Sequence, residues 1–465
     1  MTTAPSFPTK VVMHMDPGSS PLLTDLYQLN MIEAYLAYGE TKTAVFELFV
    51  RKLPARRGFL VAAGLEQALE FLEELRFSKD EIDWLKQTGR FSASTLDYLA
   101  QLRFSGDVHA LPEGTVFFAN EPILRVTAPL PEAQLVETRL INIMHFQSLI
   151  ASKAARLVLA APGKLLVDFG VRRAHGAEAG LMAARASCIA GFAGTATVLA
   201  GKMFDIPLFG TMAHSYIEAH DDEAVAFERF AHARPKDLVF LVDTYDTEAA
   251  ARKVVGLAPR LKEAGITIRG VRLDSGDLIA LSKNVRRILD DGGLVQVTIF
   301  ASGGLEEDQL MAMAKANAPI DGFGIGTRLT TSSDAPALDC AYKLQEYAGL
   351  PRRKHSVGKE TWPGRKQVWR RFEPDGRMAG DTISVETDDQ PGEPLIHQVM
   401  QAGKRLGPQP TFSEIRARAA RELELLPQLL RKLEPGATYP VEVGKALSGL
   451  AAEFDRHLMD RDRKP

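Results

Sequence analysis

The chain has 465 residues, 45% of them apolar and 25% charged, with a formal net charge of −3. That length points to two or three domains, or to one large barrel with a smaller domain, and the charge balance leaves no broad basic footprint for nucleic acid. Two cysteines, Cys188 and Cys340, form no C-x-x-C pair, which argues against a disulfide framework or a structural zinc site and fits a reducing, cytoplasmic compartment. Residues 1–20 lack an apolar core of signal-peptide type and read as a disordered leader. Residues 22–38, "LLTDLYQLNMIEAYLAY", have helical spacing behind Thr24 and Asp25, which can cap. "TAVFELFVRKLP" then alternates as a strand with one partly polar face, and "GFLVAAGLEQALEFLEEL" gives a turn and a helix. Residues 107–130 read as short strands between Pro and Gly turns, so an N-terminal α+β region over 21–130 is expected.

The rhythm changes near residue 165. Six apolar runs alternate with helical segments: "KLLVDFG", "IPLFGTMAH", "DLVFLVDTYDT", "ITIRGVRLDSGDL", "VTIFASGGL" and "IDGFGIGTRL". Strand–helix alternation implies βαβ units and a parallel sheet, and this many units favour closure into a barrel, expected over 131–345. The uncharged stretch 186–201, "ASCIAGFAGTATVLAG", is short and rich in Ala, Gly and Thr, and is expected as a buried helix and not a membrane span. Residues 346–465 combine strand-like alternation in "WPGRKQVWRRFEPDGRMAGDTISV" with two amphipathic helices. Their basic run, 349–371, is interrupted by turn and aromatic residues like a folded segment, so a solvated or phosphate-facing surface is expected in place of a nucleic-acid arm.

Polar residues gather after each run. They are Asp168, Phe169 and Arg172; His214; Asp243 and Asp246; Arg272, Asp274 and Asp277; Ser302, Gly303 and Gly304; and Gly324, Gly326, Thr327 and Arg328. In parallel α/β architectures such strand ends converge on one ligand-binding face. The two glycine turns suit phosphate, because backbone N–H groups can approach it closely; tight βα connections are the alternative. Asp274 and Asp277 suit ribose hydroxyls or Mg²⁺ held through water, unless Asp274 caps the next helix. Phe169 beside Arg172 and Arg173 suits a small planar anion, with His175 as an orienting neighbour; core packing is the other reading of Phe169. His214 has no metal-site spacing, since His220 lies six residues on, which leaves acid–base or nucleophilic chemistry, or a packed histidine. "LVFLVDTYDT" lacks the adjacent acidic pair and glycine loop of ordinary PRPP-binding phosphoribosyltransferases.

These segments together resemble the nicotinate phosphoribosyltransferase family. The resemblance rests on "LLTDLYQLNMIEAY", "FELFVRKLP", "GFLVAAGLE", "DFGVRRAHG", "GTMAHSYI", "LVDTYDT", "VRLDSGDL", "ASGGL", "GFGIGTRLTTSSDAPAL" and "YKLQEYAG", and it spans nearly the whole chain. It implies an irregular TIM-like α/β barrel and a second α+β domain built from N-terminal and C-terminal segments. It implies condensation of nicotinate with phosphoribosyl pyrophosphate (PRPP) to nicotinate mononucleotide and pyrophosphate, in NAD salvage. ATP would be the co-substrate, Mg²⁺ the cofactor, and a homodimer with interfacial sites the working form, with no nucleic acid or membrane partner.

Residue by residue, the resemblance implies that His214 is transiently phosphorylated and that Phe169 stacks on the pyridine ring. Tyr27 of a second copy would cover the other face. Arg172 would hold the carboxylate or a nearby phosphate, with Arg173 in the same substrate-binding set. Arg272, Asp274 and Asp277 would serve ribose, Mg²⁺ and diphosphate. Gly303, Gly304, Gly324, Gly326 and Thr327 would cradle the 5′-phosphate, with Thr211 and Ser302 beside them. Ala196 stands where the related nicotinamide enzymes carry an aspartate, which implies nicotinate as the preferred base. Quinolinate or nicotinamide phosphoribosyltransferase, and a non-catalytic binding protein on an inherited barrel, are the competing readings.

Overall fold

The computed structural model describes residues 20–356, 360–433 and 436–462. All of the expected leader except Ser20 lies outside them. The centre is a parallel sheet in the order Gly194–Thr195, Leu165–Asp168, Gly322–Ile325, Thr298–Ala301, Ile268–Leu273, Leu238–Leu241. This is the cyclic neighbour order of a barrel with one pairing missing, that between Gly194–Thr195 and Leu238–Leu241.

The missing pairing explains one difference from the sequence pattern. "IPLFGTMAH" forms no strand and contributes a single bridge, Leu208 to Thr195, at this seam. Pro207 has no N–H to give to a ladder, and Gly210 follows within three residues. The stretch 186–201 also differs from the single helix expected. It comprises the end of helix Ala177–Ile189, the strand Gly194–Thr195 and the start of helix Val198–Phe204. Gly191 sits at φ +119°, and a Cβ on Gly194 would fall 2.2 Å from the Pro207 carbonyl oxygen, so the chain turns and passes too closely for a continuing helix.

A seven-stranded sheet draws on both ends of the chain. It includes Thr43–Val50, Asp107–Ala110 and Pro122–Pro129 together with Cys340–Tyr347 and His397–Gln401. Thr43–Val50 does not keep the polar face expected of it: every residue after Thr43 is buried. Its one charge, Glu47, meets Lys366 Nζ at 2.7 Å inside the protein. The basic run that supplies Lys366 also supplies Arg370, fully buried against Asp381 at 2.6 Å and Glu422 at 2.8 Å. These two cations are core ion-pair partners, which is how a charge can be buried at tolerable cost.

One buried charge cluster joins the elements around the parallel sheet. Lys153, on the long helix Glu137–Ala160, lies 2.5 Å from Glu307 and 3.1 Å from Asp334. Arg57 meets Asp334 at 3.0 Å and also bonds Ser332, while Arg156 meets Glu307 at 3.0 Å. Burial pushes the Asp334 carboxyl up, but Arg57 and Lys153 outweigh it and hold the group well below the usual carboxylate range. Removing Lys153 leaves two buried carboxylates, Glu307 and Asp334, each held by one cation where it had two, Arg156 and Arg57. Lys153→Met is therefore expected to lower unfolding stability by about 3–5 kcal/mol in urea titrations; a loss below about 1 kcal/mol would show that the cluster does not hold these elements together.

Candidate active site

Asp243 stands two residues past the Leu238–Leu241 strand and reaches the next strand end. Its Oδ2 accepts the Asp274 backbone N–H at 2.9 Å and the Ser275 hydroxyl at 2.6 Å. Its Oδ1 is buried and has no partner. Asp274 in turn accepts a hydrogen bond from Ser302, past the Thr298–Ala301 strand. Gly303 follows at φ +98°, where a Cβ would lie 2.0 Å from the Asp274 carbonyl oxygen. Three adjacent strand ends are thus locked to one another, and only glycine fits at that crossing.

His214 opens the short helix His214–Glu218 and is 37% exposed. Its Nδ1 is 3.1 Å from Thr244 Oγ1, and its Nε2 is 3.8 Å from Asp274 Oδ2. Arg272 donates to Thr211 Oγ1 at 2.7 Å, and its buried Nε has no partner. Burial lowers the Arg272 pKa, Asp274 and Asp243 push it back up, and Arg172 pushes it down again. His214, Thr211, Arg272, Asp274 and Ser302 therefore form one connected group.

The aromatic end lies beside it. The Phe169 ring packs on Gly324, where a Cβ would fall 2.5 Å from two ring carbons, and Phe300 tilts against it at a centroid distance of 5.9 Å. Gly324 is thus small to admit a ring. Gly326 caps the short helix Thr327–Thr330, with Thr327 half-buried and Arg328 exposed. Arg172 and Arg173 occupy the single turn Val171–Arg173, exposed and without a carboxylate partner among the described residues; His175 is also exposed. Asp168 is buried, which pushes its pKa up, and it accepts from Thr195 at 2.7 Å and from the Gly170 N–H at 2.8 Å. The Ala196 N–H donates to the Asp168 carbonyl at 2.8 Å, which puts the Thr-Ala-Thr segment next to the Phe169 turn.

Other expected site residues stand elsewhere or have a second duty. Asp277 caps helix Leu278–Asp291, accepting from the Ile279 and Ala280 N–H groups at 3.1 Å, so the cap falls on Asp277 and not on Asp274. Asp246 caps Thr247–Glu263 in the same way. Gly304 is exposed at φ +65°, with nothing within 4 Å of where a Cβ would stand. Tyr27 is 47% exposed on helix Leu26–Ala37, and burial, Glu137 and Asp25 raise its pKa; its hydrogen-bonding neighbours are Thr138 and Gln28. Thr244 was not among the sequence candidates. No group of three or more His, Cys, Asp or Glu among the described residues could by itself hold a metal ion. No described helix is long and apolar enough to cross a membrane.

The parallel sheet and its interlocked strand ends define an α/β protein of the class in which ligand sites lie at the carboxyl edge of the sheet. Residues 22–145 match the nicotinate phosphoribosyltransferase (NAPRTase) N-terminal domain, 165–350 the nicotinate phosphoribosyltransferase family, and 392–451 its C-terminal domain. The chain belongs to the nicotinate phosphoribosyltransferase family. It is 49% identical to a nicotinate phosphoribosyltransferase of Mycobacterium tuberculosis over 96% of each chain, and 40% identical to one of Bacillus subtilis over 82% of this chain and 80% of that one. The structure resembles that of human nicotinic acid phosphoribosyltransferase, with a TM-score of 0.83, 28% identity, and 92% and 99% of the two chains covered. It also resembles a nicotinate-nucleotide pyrophosphorylase from Pyrococcus furiosus, at a TM-score of 0.73 and 26% identity over 90% and 98%.

The glycine turn gives a direct test. Gly303→Ala must displace the Asp274 backbone, whereas Gly304→Ala meets nothing and carries only left-handed strain of about 1–2 kcal/mol. Thermal unfolding should show Gly303→Ala as clearly the more damaging of the pair; equal losses would contradict the close crossing.

Proposed function

We propose that this protein condenses nicotinate with PRPP to nicotinate mononucleotide and pyrophosphate, and that ATP drives the reaction through phosphorylation of His214. The observation that carries the ATP step is the setting of His214. Thr244 engages Nδ1, and Nε2 faces Asp274 from a half-open position beside the glycine turns. With Thr244 accepting from Nδ1–H, the lone pair is on Nε2. Nε2 attacks the γ-phosphorus of ATP, the bond to the bridging oxygen breaks, and ADP leaves. Water later cleaves the phosphohistidine to histidine and inorganic phosphate.

In the condensation the pyridine nitrogen attacks the anomeric carbon of PRPP as the bond to diphosphate breaks. The Phe169 ring suits the pyridine, and Arg172 and Arg173, exposed and without a carboxylate partner among the described residues, suit its carboxylate. Arg272, half freed of partners at Nε, suits an anionic or ribose oxygen. The turns at Ser302–Gly304 and Gly324–Thr327 suit the 5′-phosphate. The residues present fit a Mg²⁺ ion carried mainly by the substrate's diphosphate: Asp243 keeps one buried oxygen unpartnered, and Asp274 and Asp277 each have an oxygen outside the bonds described. Such an ion neutralises charge on the departing diphosphate. The chain's own part is orientation, charge placement and exclusion of water. A homodimer in which Tyr27 of a second copy closes over the pyridine completes this reading.

Product assays with PRPP and Mg²⁺, with and without ATP, test it. Wild type should make nicotinate mononucleotide faster with ATP. His214→Ala should lose the ATP stimulation and the acid-labile phosphoprotein while keeping a basal rate, and Thr244→Val should lose part of the stimulation. Stimulation that survives in His214→Ala would refute the phosphohistidine. Ala196→Asp adds an acceptor that suits a carboxamide and repels a carboxylate, so the preference for nicotinate over nicotinamide should fall about tenfold or more; an unchanged ratio in competition assays would reject Ala196 as the selector.

A further inference from the structure

A cavity of about 330 Å³ opens beside the strand Thr43–Val50, and none of its lining residues belongs to the strand-end site. Its size falls within the usual range for small-molecule sites, roughly 300–1,000 Å³. The feature that marks it is Gln345. This side chain is 1% exposed, yet neither its Nε2 nor its Oε1 has a hydrogen-bond partner among the described residues. Leaving a buried amide unpaired is costly, and buried polar groups are normally satisfied.

The backbone puts Gln345 there by construction. In the pairing of Thr43–Val50 with Cys340–Tyr347, Val45 opposes Glu346 and Phe46 opposes Leu344, so Gln345 is the extra residue of a β-bulge. Its carbonyl accepts two N–H groups, from Arg352 at 2.8 Å and Gly364 at 2.9 Å, which pins the bulge. Bulges re-aim side chains, and this one sets Gln345, with its unpaired amide, in the cavity wall.

The remaining lining supplies the other half of a recognition site. Trp362 lines the cavity, with the Arg353 guanidinium 6.0 Å from its ring centroid. Arg353 binds Asp455 through Nη1, but its buried Nε has no partner among the described residues. Lys52 also lines the cavity, exposed and without an ion-pair partner among the described residues. Of the two lining carboxylates, Glu47 is neutralised by Lys366 at 2.7 Å and Glu360 is exposed, and Arg353 shares its charge with Asp455, so Lys52 is the free cation of the lining among the described residues. An amide, an aromatic face and one free positive charge match a flat heterocycle with a complementary edge and an anionic tail. A glutamine amide reads an adenine edge in just this bidentate way, and aromatic side chains stack on the base.

We propose that this cavity is a second ligand site, one for a purine nucleoside monophosphate, in which Gln345 reads the base edge and Arg353 and Lys52 face the phosphate. The proposal is independent of the reaction assigned above. Calorimetric titration of the full chain with adenosine 5′-monophosphate, adenosine and ribose 5-phosphate tests it. The monophosphate should bind more tightly than either fragment. Gln345→Leu should weaken it about tenfold, to the level of ribose 5-phosphate, while its melting temperature stays level or rises because a buried unpaired amide is gone. Lys52→Glu, at an exposed position, should weaken the monophosphate and leave adenosine unchanged. Phe169→Ala, which strips the ring from the strand-end site, should leave the cavity's binding intact. Binding that is insensitive to Gln345→Leu, binding lost in Phe169→Ala, or no binding by wild type at millimolar concentration would each overturn the assignment.

Discussion

The buried lysine at position 153 is the constraint on which most of this structure depends. Its ammonium has no contact with water and is tolerable only because Glu307 and Asp334 converge on it. Those carboxylates lie just beyond the two glycine-bearing turns: Glu307 begins the helix after Ser302–Gly304, and Asp334 follows the short helix Thr327–Thr330. Arg57 brings the connection after the first long strand onto the same point. Satisfying one charge therefore fixes the relative positions of the two turns assigned to phosphate. The same cluster joins the parallel sheet's loops to the N-terminal part of the chain.

A second constraint operates at the strand ends themselves. Asp243 bonds the Asp274 backbone and Ser302 bonds the Asp274 side chain, so no one of the three can shift alone. Arg272 and Thr211 extend the linkage to the segment that carries His214. Preorganisation of this kind is what an enzyme needs when its task is to hold charged groups in place while a bond between substrates breaks. The unpartnered buried atoms, Asp243 Oδ1 and Arg272 Nε, are the places where that network stops within the chain.

Much of this was legible in the sequence because strand–helix alternation and strand-end chemistry are local signals. Five of the six apolar runs form strands of the parallel sheet, and Phe169, Arg272, Asp274, Ser302 and the glycines fall where the pattern put them. The misreadings have non-local causes. Ile206–Phe209 is apolar enough for a strand, but Pro207 and the missing neighbour at the seam prevent a ladder. Glu47 reads as a surface charge until Lys366, far along the chain, is folded against it. Thr244 sits between two more conspicuous acids, and only the approach of His214 gives it a role. Gln345 looks like an ordinary strand residue; its exception is a register shift that no single strand records.

The open seam has a dynamic consequence. His214 is carried by a segment tied to the parallel sheet by one backbone bridge, at Leu208, and otherwise by side-chain bonds at Thr211 and His214, while Asp274 and Ser302 follow strands paired on both sides. Amide exchange should accordingly be fastest in the His214 segment and slowest in the strands that carry the carboxylates, because the two parts open at different free-energy costs. The segment that bears the histidine can then open at a lower cost than the frame of strands beside it.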